Sequence, residues 1–209
     1  PSVLEKLVDF EKEISVIIAR NESGEIKAFP VVELEFNPEA NLVEYLFAPA
    51  NIAADIEKTA HEIAVDVAIA LDLVGILAVE MFITKDGKLL VNEIAPRPHN
   101  SGHHTIEANY TSQYEQHLRA ILNLPLGSTK SKTAAVMVNI LGEKGFTGDA
   151  VYEGLAEVLA IEGIRLHLYG KKTTKPFRKM GHITILDPDL NSAKEKAIRV
   201  KNTLKCKAN

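Results

Sequence analysis

The sequence predicts an α+β fold, in which an antiparallel sheet is followed by a long helix and a hairpin. Short apolar runs separated by turn residues occupy the first fifty positions and give way to a helical period over residues 51–73. Two further apolar runs then flank Asp86 and Gly87, which is a strong hairpin signal. A sheet, a helix and a hairpin in this order indicate α+β rather than a βαβ repeat.

The composition is that of an ordinary soluble protein without a global affinity for nucleic acid. The chain has 209 residues, of which 46% are hydrophobic and 25% are charged, and its net charge is −4. No block of Lys and Arg alternates with aromatic residues, so we expect no nucleic-acid partner. The single cysteine, Cys206, cannot form an internal disulfide and is typical of a reducing compartment.

The apolar stretches predict a cytoplasmic protein with no membrane partner. The longest apolar region, residues 63–79, is interrupted by Asp66 and Asp72 and lacks the pattern of a membrane span. The first residues do not have the order of a signal peptide. Because the chain begins at Pro1 without methionine and enters an apolar run at once, we interpret it as a fragment or a processed product.

The pattern predicts two units of unequal size. The predicted strands of the first unit are residues 3–8, 14–19, 27–36, 43–47, 77–84 and 88–95. A capping box at Ser112 and Glu115 opens a helix that runs to Leu122. The turn-rich residues 124–132 then separate residues 1–127 from residues 128–209, which form a small mixed unit. Its predicted strands are residues 134–141, 164–169 and 182–186, and its predicted helices are residues 154–160 and 193–204.

Each strand of the predicted hairpin contains one glutamate, Glu80 or Glu93. With a two-residue turn, Lys85 pairs with Lys88, and the two glutamates then lie directly opposite with Cβ atoms about 4.5 to 5.5 Å apart. Because like charges at that distance repel, we expect a bound hard cation such as Mg²⁺ to offset the repulsion.

A bulged turn at Gly87 is the alternative. Thr84 would then pair with Lys88, Glu80 would oppose Asn92, and Glu93 would need a second bulge to share the face of Glu80.

The loop after Glu93 is crowded with polar groups. It contains a guanidinium, three imidazoles, an amide and a hydroxyl within residues 95–104. Such groups beside two carboxylates suit a phosphate-bearing, metal-bound substrate. The alternatives are a polar loop that caps nearby helices and a zinc site, although no cysteine lies near the histidines.

Two other charged features have both a structural and a functional interpretation. Residues 171–179 contain five positive charges and no acid, which is consistent with a solvated hairpin tip or with a phosphate clamp. Glu5 and Glu13 lie in or beside apolar runs, and periodicity alone favours solvent-facing positions on half-buried strands for both.

Three segments closely resemble a known enzyme family: VEMFITKDGKLLVNEIAPRPHNSGHHTIEANYTSQYEQHLRAILNLPLG, LHLYGK and RKMGHITIL. The family is that of the N5-carboxyaminoimidazole ribonucleotide synthetases, the ATPase subunits of phosphoribosylaminoimidazole carboxylase, which are ATP-grasp enzymes of purine biosynthesis. The likeness runs from Pro1 to about Leu186 and is most specific in the NE-x-APR-x-HNSGH segment. It implies the later part of an ATP-grasp domain, followed by a small C-terminal domain of mixed helices and strands.

The resemblance implies ATP and Mg²⁺ as ligands. Glu5, Lys6 and Val8 match the hinge that meets adenine, and Glu13 matches a ribose-binding residue, which replaces the solvent-facing interpretation of Glu5 and Glu13. Glu80 and Glu93 match the magnesium ligands, and Asn92 belongs beside the ATP phosphates.

The resemblance also implies aminoimidazole ribonucleotide and bicarbonate as substrates. Arg97 matches an arginine that stabilises charge during phosphoryl transfer, and His99 and Asn100 match the loop that meets bicarbonate and the aminoimidazole. Lys171 and Arg178 match residues that hold the ribonucleotide phosphate, although Lys172 and Lys175 lie close by. The implied reaction is carboxylation through carboxyphosphate, and the implied assembly is a homodimer.

The sequence also departs from the family pattern. Family members have an N-terminal Rossmann-like domain and a subdomain with a glycine-rich loop and phosphate-binding lysines, and no such loop or strand precedes Leu4. We therefore expect the later part of such an enzyme, unable by itself to turn over ATP at a normal rate. The alternatives are another ATP-grasp ligase, such as a formate-dependent transformylase, and a non-catalytic nucleotide-binding or dimerisation fragment.

Overall fold

One long antiparallel sheet dominates the computed structural model, which describes residues 2–37, 39 and 42–209. The strands are β1 (Phe10–Arg20), β2 (Ile26–Ala28), β3 (Val32–Asn37), β4 (Leu42–Ala48), β5 (Gly75–Thr84), β6 (Leu89–Ala95), β7 (Ala134–Leu141), β8 (Gly148–Glu153), β9 (Ile164–Leu168), β10 (Thr173–Thr174), β11 (Lys179–Asp187) and β12 (Lys205–Ala208). The long sheet has the strand order β6-β5-β1-β3-β4-β7-β11-β9, with β2 beside β1, and a second sheet has the order β10-β8-β12. Pro1, the first residue of the family likeness, lies outside the described residues.

Helices cover the sheet at two places. They are α1 (Ala54–Ala70), α2 (Thr105–Ala108), α3 (Gln113–Ile121), α4 (Leu155–Leu159) and α5 (Leu190–Thr203). The capping box forms in part, because the Ser112 side chain accepts a hydrogen bond from the Glu115 backbone N at 3.2 Å, whereas the Glu115 carboxylate binds Arg119. The α+β class is confirmed. Within the described residues, no helix is both long and apolar enough to cross a membrane.

The strand predicted over residues 3–8 is wrong. These residues belong to no strand, and the side chains of Val3, Leu4 and Leu7 are almost fully exposed. An apolar run becomes a strand only if another strand satisfies its backbone N–H and C=O groups, and no described residue pairs with this segment.

The single strand predicted over residues 27–36 is divided into β2 and β3. Pro30 lies at the break and has no N–H to donate to a ladder, so it interrupts the pairing with β1. The three strands of the second sheet, β8, β10 and β12, lie outside every strand predicted from the sequence.

The hairpin follows the bulged alternative, so the two-residue turn is wrong. The Thr84 N donates to the Lys88 O at 2.9 Å, and the Gly87 N donates to the Thr84 O at 2.8 Å. The register then shifts between Glu80 and Met81, and this second bulge returns Glu93 to the position opposite Glu80.

The core consists of two main clusters on the long sheet. One packs α1 against β1 and β5, and the other packs α5 against β7 and β11. The sheet is continuous between the two clusters, because β4 pairs with β7. The division into residues 1–127 and 128–209 stays a prediction, and the sheet crosses it without interruption.

Candidate active site

Three carboxylates from neighbouring strands lie on one face of the sheet. Glu80 on β5 is directly opposite Glu93 on β6. On the other side, β1 pairs Ser15 with Glu80 and Glu13 with Phe82, so Glu13 is a diagonal neighbour of Glu80 on the same face. Glu13 and Glu80 are each 6% exposed, whereas Glu93 is exposed.

Burial makes negative charge costly at this cluster. Burial, together with the charges of the neighbouring carboxylates, raises the pKa of Glu13 and of Glu80 to about 7. The amide of Asn92 donates to Glu13 at 3.3 Å and partly offsets the effect at that residue. A divalent cation would replace the protons that these groups otherwise hold near neutral pH.

The donor set suits a magnesium ion. Glu80, Glu93 and His99 offer ligand atoms that all lie within 4.8 Å of one another. The two carboxylates are the hard oxygen ligands that Mg²⁺ prefers, whereas the imidazole is a less typical ligand for it. The His99 Nδ1 lies 3.6 Å from the Glu80 Oε1 and 2.9 Å from the Ser101 Oγ. Burial and the charges of Arg97 and Lys179 lower the pKa of His99 to about 4, so its ring is neutral at pH 7.

The loop after β6 presents polar groups that lack partners. Both polar atoms of the Asn100 side chain are buried, and neither has a hydrogen-bond partner among the described residues. A buried amide without partners is costly unless a ligand supplies them. Asn100 and His99 line the same cavity, of about 460 Å³, as Glu13, Glu80 and Glu93.

Gln113, the first residue of α3, fixes this loop. Its Oε1 accepts from the His99 backbone N at 2.8 Å, and its Nε2 donates to the His99 carbonyl O at 2.8 Å. Gly102 packs so closely that a Cβ there would lie 2.5 Å from the Gln113 Oε1. The position of His99 and Asn100 therefore depends on a buried side chain of a different element.

The predicted adenine hinge borders a second cleft, of about 510 Å³. Glu5, Lys6 and Val8 line this cleft. Three residues, Phe10, Phe82 and Asn92, line both cavities, so the two spaces adjoin. The rings of Phe10 and Phe82 stack with centroids 4.5 Å apart, which gives the junction an apolar wall of the kind on which a flat base can pack.

Three predicted cations, Arg97, Lys171 and Arg178, do not line this cavity. Arg97 is exposed and donates to the Pro98 carbonyl at 3.1 Å, yet its charge lowers the pKa of both Glu80 and His99. The Lys171 Nζ donates to the Lys179 carbonyl at 2.6 Å.

Arg178 binds within its own loop, to the carbonyl and hydroxyl oxygens of Thr173.

Of the predicted site residues, Glu13, Glu80, Asn92, Glu93, His99 and Asn100 line one cavity.

Sequence reasoning missed two residues of this site. Lys179 lines the cavity, but in the sequence it is one of five cations in a single run and nothing distinguishes it from its neighbours. Gln113 follows the capping residue Ser112 and lies 14 residues from His99, so no local pattern could have indicated its role.

A cleft of about 510 Å³ thus adjoins the cavity that contains the paired carboxylates. Residues 1–114 match the family described as the ATP-grasp domain, so the chain belongs to the ATP-grasp family. Residues 135–196 match a second family, described as the phosphoribosylaminoimidazole carboxylase C-terminal domain. The ATP-grasp membership expected from the NE-x-APR-x-HNSGH segment is confirmed.

Within that family the chain is similar to N5-carboxyaminoimidazole ribonucleotide synthases. The Bacillus subtilis enzyme of that name is 46% identical over 185 residues, which cover 88% of this chain and 46% of the relative. The crystal structure of the synthetase from Thermotoga maritima superimposes with a TM-score of 0.92 at 56% identity, covering 98% of this chain and 55% of that one.

A third similar protein was solved with ligands. The Aspergillus clavatus N5-carboxyaminoimidazole synthase, in complex with ADP and 5-aminoimidazole ribonucleotide, has a TM-score of 0.83 at 34% identity. The match covers 94% of this chain and 53% of that one. The chain thus spans about half the length of the relatives that it matches.

Proposed function

We propose that this chain provides the magnesium and acceptor sites of an enzyme that carboxylates 5-aminoimidazole ribonucleotide with bicarbonate at the expense of ATP. The observation that supports this most is the single cavity in which Glu80 and Glu93 face the unpartnered amide of Asn100. The similar Aspergillus clavatus enzyme was solved with ADP and 5-aminoimidazole ribonucleotide, the two ligands for which such a cavity is suited.

ATP occupies the two adjoining cavities in this proposal. Adenine lies in the cleft lined by Glu5, Lys6 and Val8, the ribose hydroxyls bind Glu13, and the phosphates extend towards Asn92.

Glu80 and Glu93 hold the Mg²⁺. A Mg²⁺ ion held by these two residues would supply positive charge that offsets the negative charge of the phosphates during phosphoryl transfer.

Bicarbonate and the ribonucleotide bind on the side of the cavity formed by the loop after β6. A bicarbonate oxygen attacks the γ-phosphorus of ATP and ADP leaves. The amine of the ribonucleotide then bonds to the carboxyl carbon of the resulting carboxyphosphate, and inorganic phosphate leaves and takes up the amine proton. Arg97 stabilises the negative charge of the transferring group, while His99 and Asn100 orient bicarbonate and the aminoimidazole. Lys171 and Arg178 bind the phosphate of the ribonucleotide.

The choice of second substrate tests this function against the other ATP-grasp alternative. ADP formation is measured with Mg²⁺-ATP and aminoimidazole ribonucleotide, in the presence of either bicarbonate or formate. We expect a slow rate that rises with bicarbonate and not with formate. A rate that depends on formate would favour a transformylase, and a rate independent of the ribonucleotide would contradict the proposal.

The assembly that we propose is a homodimer, as the family resemblance suggests. The exposed apolar side chains of Leu118, Ile121 and Leu122 at and beside the end of α3 are consistent with a protein–protein contact. Sedimentation velocity tests this proposal, which predicts a species of twice the chain mass; a monomer at all concentrations would contradict it.

A further inference from the structure

Four side chains form a column of stacked rings between the two regions of the chain. In order along the column they are Tyr114, His103, His182 and His167. The ring centroids of His103 and His182 are 4.7 Å apart, and those of His182 and His167 are 4.5 Å apart with planes inclined by 9°. The first two rings belong to the part of the chain that matches the ATP-grasp domain, and the last two belong to the part that matches the C-terminal domain. The column therefore crosses from one region to the other.

Strand pairing and burial hold the centre of this column in place. His182 on β11 lies directly opposite His167 on β9, so the two rings share one face of the sheet. His182 is 2% exposed. Burial, together with the charges of the neighbouring histidines, lowers the pKa of His182 to about 3. Its ring is thus neutral at pH 7 and stacks on other rings without repulsion between like charges.

His182 also binds a side chain beside the column. A hydrogen bond of 3.0 Å joins its Nδ1 to the Tyr169 hydroxyl. The Lys171 Nζ lies over the Tyr169 ring, 5.7 Å from the centroid, a distance at which a cation is attracted to the face of a ring. His182 therefore restrains Lys171 through one intervening ring.

The other contact of the His182 ring leads to the loop after β6. The ring of His103, in that loop, packs on it. The His103 Nδ1 accepts from the Gln113 Nε2 at 3.0 Å and lies 3.1 Å from the Tyr114 hydroxyl. The same Gln113 side chain binds the backbone N–H and C=O of His99. One buried imidazole thus connects the loop after β6 with Lys171.

We propose that His182 is a positioning residue of the acceptor site. It holds Lys171 through Tyr169, and it holds the loop after β6 through His103. This inference rests on the proposed function, in which Lys171 binds the phosphate of the ribonucleotide and the loop after β6 meets its aminoimidazole. The phosphate and the aminoimidazole are opposite ends of one ligand, so groups that are already held at the right separation bind it with a smaller loss of side-chain freedom. His182 sets this separation without contacting the ligand.

The competing explanation is structural. The column would then only pack the two regions against each other, and changes in it would lower stability without a selective effect on the ribonucleotide. Two substitutions, His182→Phe and Tyr169→Phe, remove the hydrogen bond and keep the aromatic rings. Because they remove the same bond, the two variants separate the link to Lys171 from the stacking.

The experiment is a calorimetric titration of 5-aminoimidazole ribonucleotide into the chain in the presence of Mg²⁺-ADP. We expect His182→Phe and Tyr169→Phe each to weaken binding about fivefold, because the hydrogen bond that restrains Lys171 is lost. The double variant should bind no more weakly than either single variant. In a Lys171→Met background, His182→Phe should have no further effect, since the group on which it acts is absent.

Two controls separate positioning from stability. Thr184→Val changes a fully buried residue two positions further along the same face of β11 and should bind as the wild type does. His182→Ala removes the whole ring and should weaken binding even in the Lys171→Met background, because His103 loses its neighbour. Ile183→Ala, in the apolar cluster on the other face, is its destabilised counterpart and should leave the affinity unchanged.

The outcomes distinguish this inference from the proposed function. If His182→Phe binds the ribonucleotide as the wild type does, the positioning role is overturned while the proposed function stands. A loss that persists in full in the Lys171→Met background, or that Thr184→Val shares, also overturns the role. Wild-type protein that does not bind the ribonucleotide contradicts both proposals. Urea denaturation of each variant measures its stability separately from its affinity.

Discussion

At the scale of single residues, the site contains carboxyl groups whose ionisation is unfavourable because the fold buries them close together. Glu13 and Glu80 are nearly buried side by side, and Glu93 lies directly opposite Glu80. Hydrophobic packing alone would not select this arrangement, because each carboxylate raises the cost of ionising its neighbour. Glutamates at these positions are therefore best explained by a cation that binds between them.

The raised pKa of Glu80 predicts a specific dependence of stability on pH. The unfolded chain releases the Glu80 proton near pH 4.5, whereas the folded, metal-free protein holds it to about pH 7. Over this interval the unfolded state binds fewer protons, so rising pH favours unfolding. We therefore expect the free energy of unfolding of Glu80→Gln, relative to that of the wild type, to increase as the pH rises from 4.5 to 7.

Urea denaturation of both proteins in EDTA at several pH values measures this difference. The comparison with the variant is needed because the buried histidines contribute the opposite slope: burial lowers the pKa values of His99, His103 and His104 to about 4 and that of His182 to about 3. Parallel curves for the two proteins would contradict the prediction.

The sequence predicted the facing glutamates but not every residue that completes the site. Glu80 and Glu93 stood out because acids are rare in apolar strands, but the two-residue turn that paired them does not form, and they lie opposite because a second bulge restores the register. Lys179 could not be distinguished from Lys171 or Lys172, since which cation enters a cavity depends on the strand irregularity beside it.

At the scale of elements, α3 holds the loop after β6 through one side chain. Gln113 and Gln116 are both fully buried on this helix, and each binds both the N–H and the C=O of a distant residue. Gln113 binds His99, in the loop that follows β6, whereas Gln116 binds Gly127, in the connection to β7. The chain thus offers a matched pair in which only one member fixes the candidate site.

We expect Gln113→Ala and Gln116→Ala to be destabilised by a similar amount, about 3 kcal/mol, because each leaves two backbone groups without partners. Only Gln113→Ala should weaken the binding of aminoimidazole ribonucleotide, since only it releases His99 and Asn100. Urea denaturation and calorimetry measure the two effects. Equal loss of ribonucleotide binding in both variants would show that binding is weakened by the loss of stability and not by the release of His99 and Asn100.

The elements themselves differed in how well the sequence predicted them. Residues 134–141 were predicted as the strand that forms, because the run is apolar and the strand is buried on both faces. Residues 3–8 are also largely apolar but form no strand, because strand formation depends on a partner that local sequence does not reveal. Pro30 could have signalled the break between β2 and β3, since it cannot donate to a ladder.

At the scale of the whole molecule, the sheet joins the ATP-grasp region to the C-terminal unit. β4 pairs with β7, and Phe47 of β4 belongs to the same apolar cluster as Val136, Ile183 and Val200. Both regions also line the cavity, because Lys179 comes from the C-terminal unit and Glu13, Glu80 and Glu93 come from the ATP-grasp region. The predicted division at residue 127 therefore separates neither the sheet nor the site.

This continuity predicts that the chain unfolds as one unit. Differential scanning calorimetry should show a single transition whose calorimetric and van't Hoff enthalpies agree. Residues 1–127 expressed alone should not fold stably, because the edge of β4 and the ring of Phe47 would lose their partners. Two separate transitions, or a stable isolated first unit, would show instead that the two predicted domains are independent.

In the proposed function, Glu80 and Glu93 hold the magnesium of a bound nucleotide. Calorimetric titration of ADP into the wild type and into Glu93→Ala, with Mg²⁺ or with EDTA, tests this role. We predict binding that requires Mg²⁺ and that weakens more than about 100-fold in the variant, because a metal ligand is removed. Absence of binding by the wild type, or binding that survives in both EDTA and Glu93→Ala, would contradict the claim.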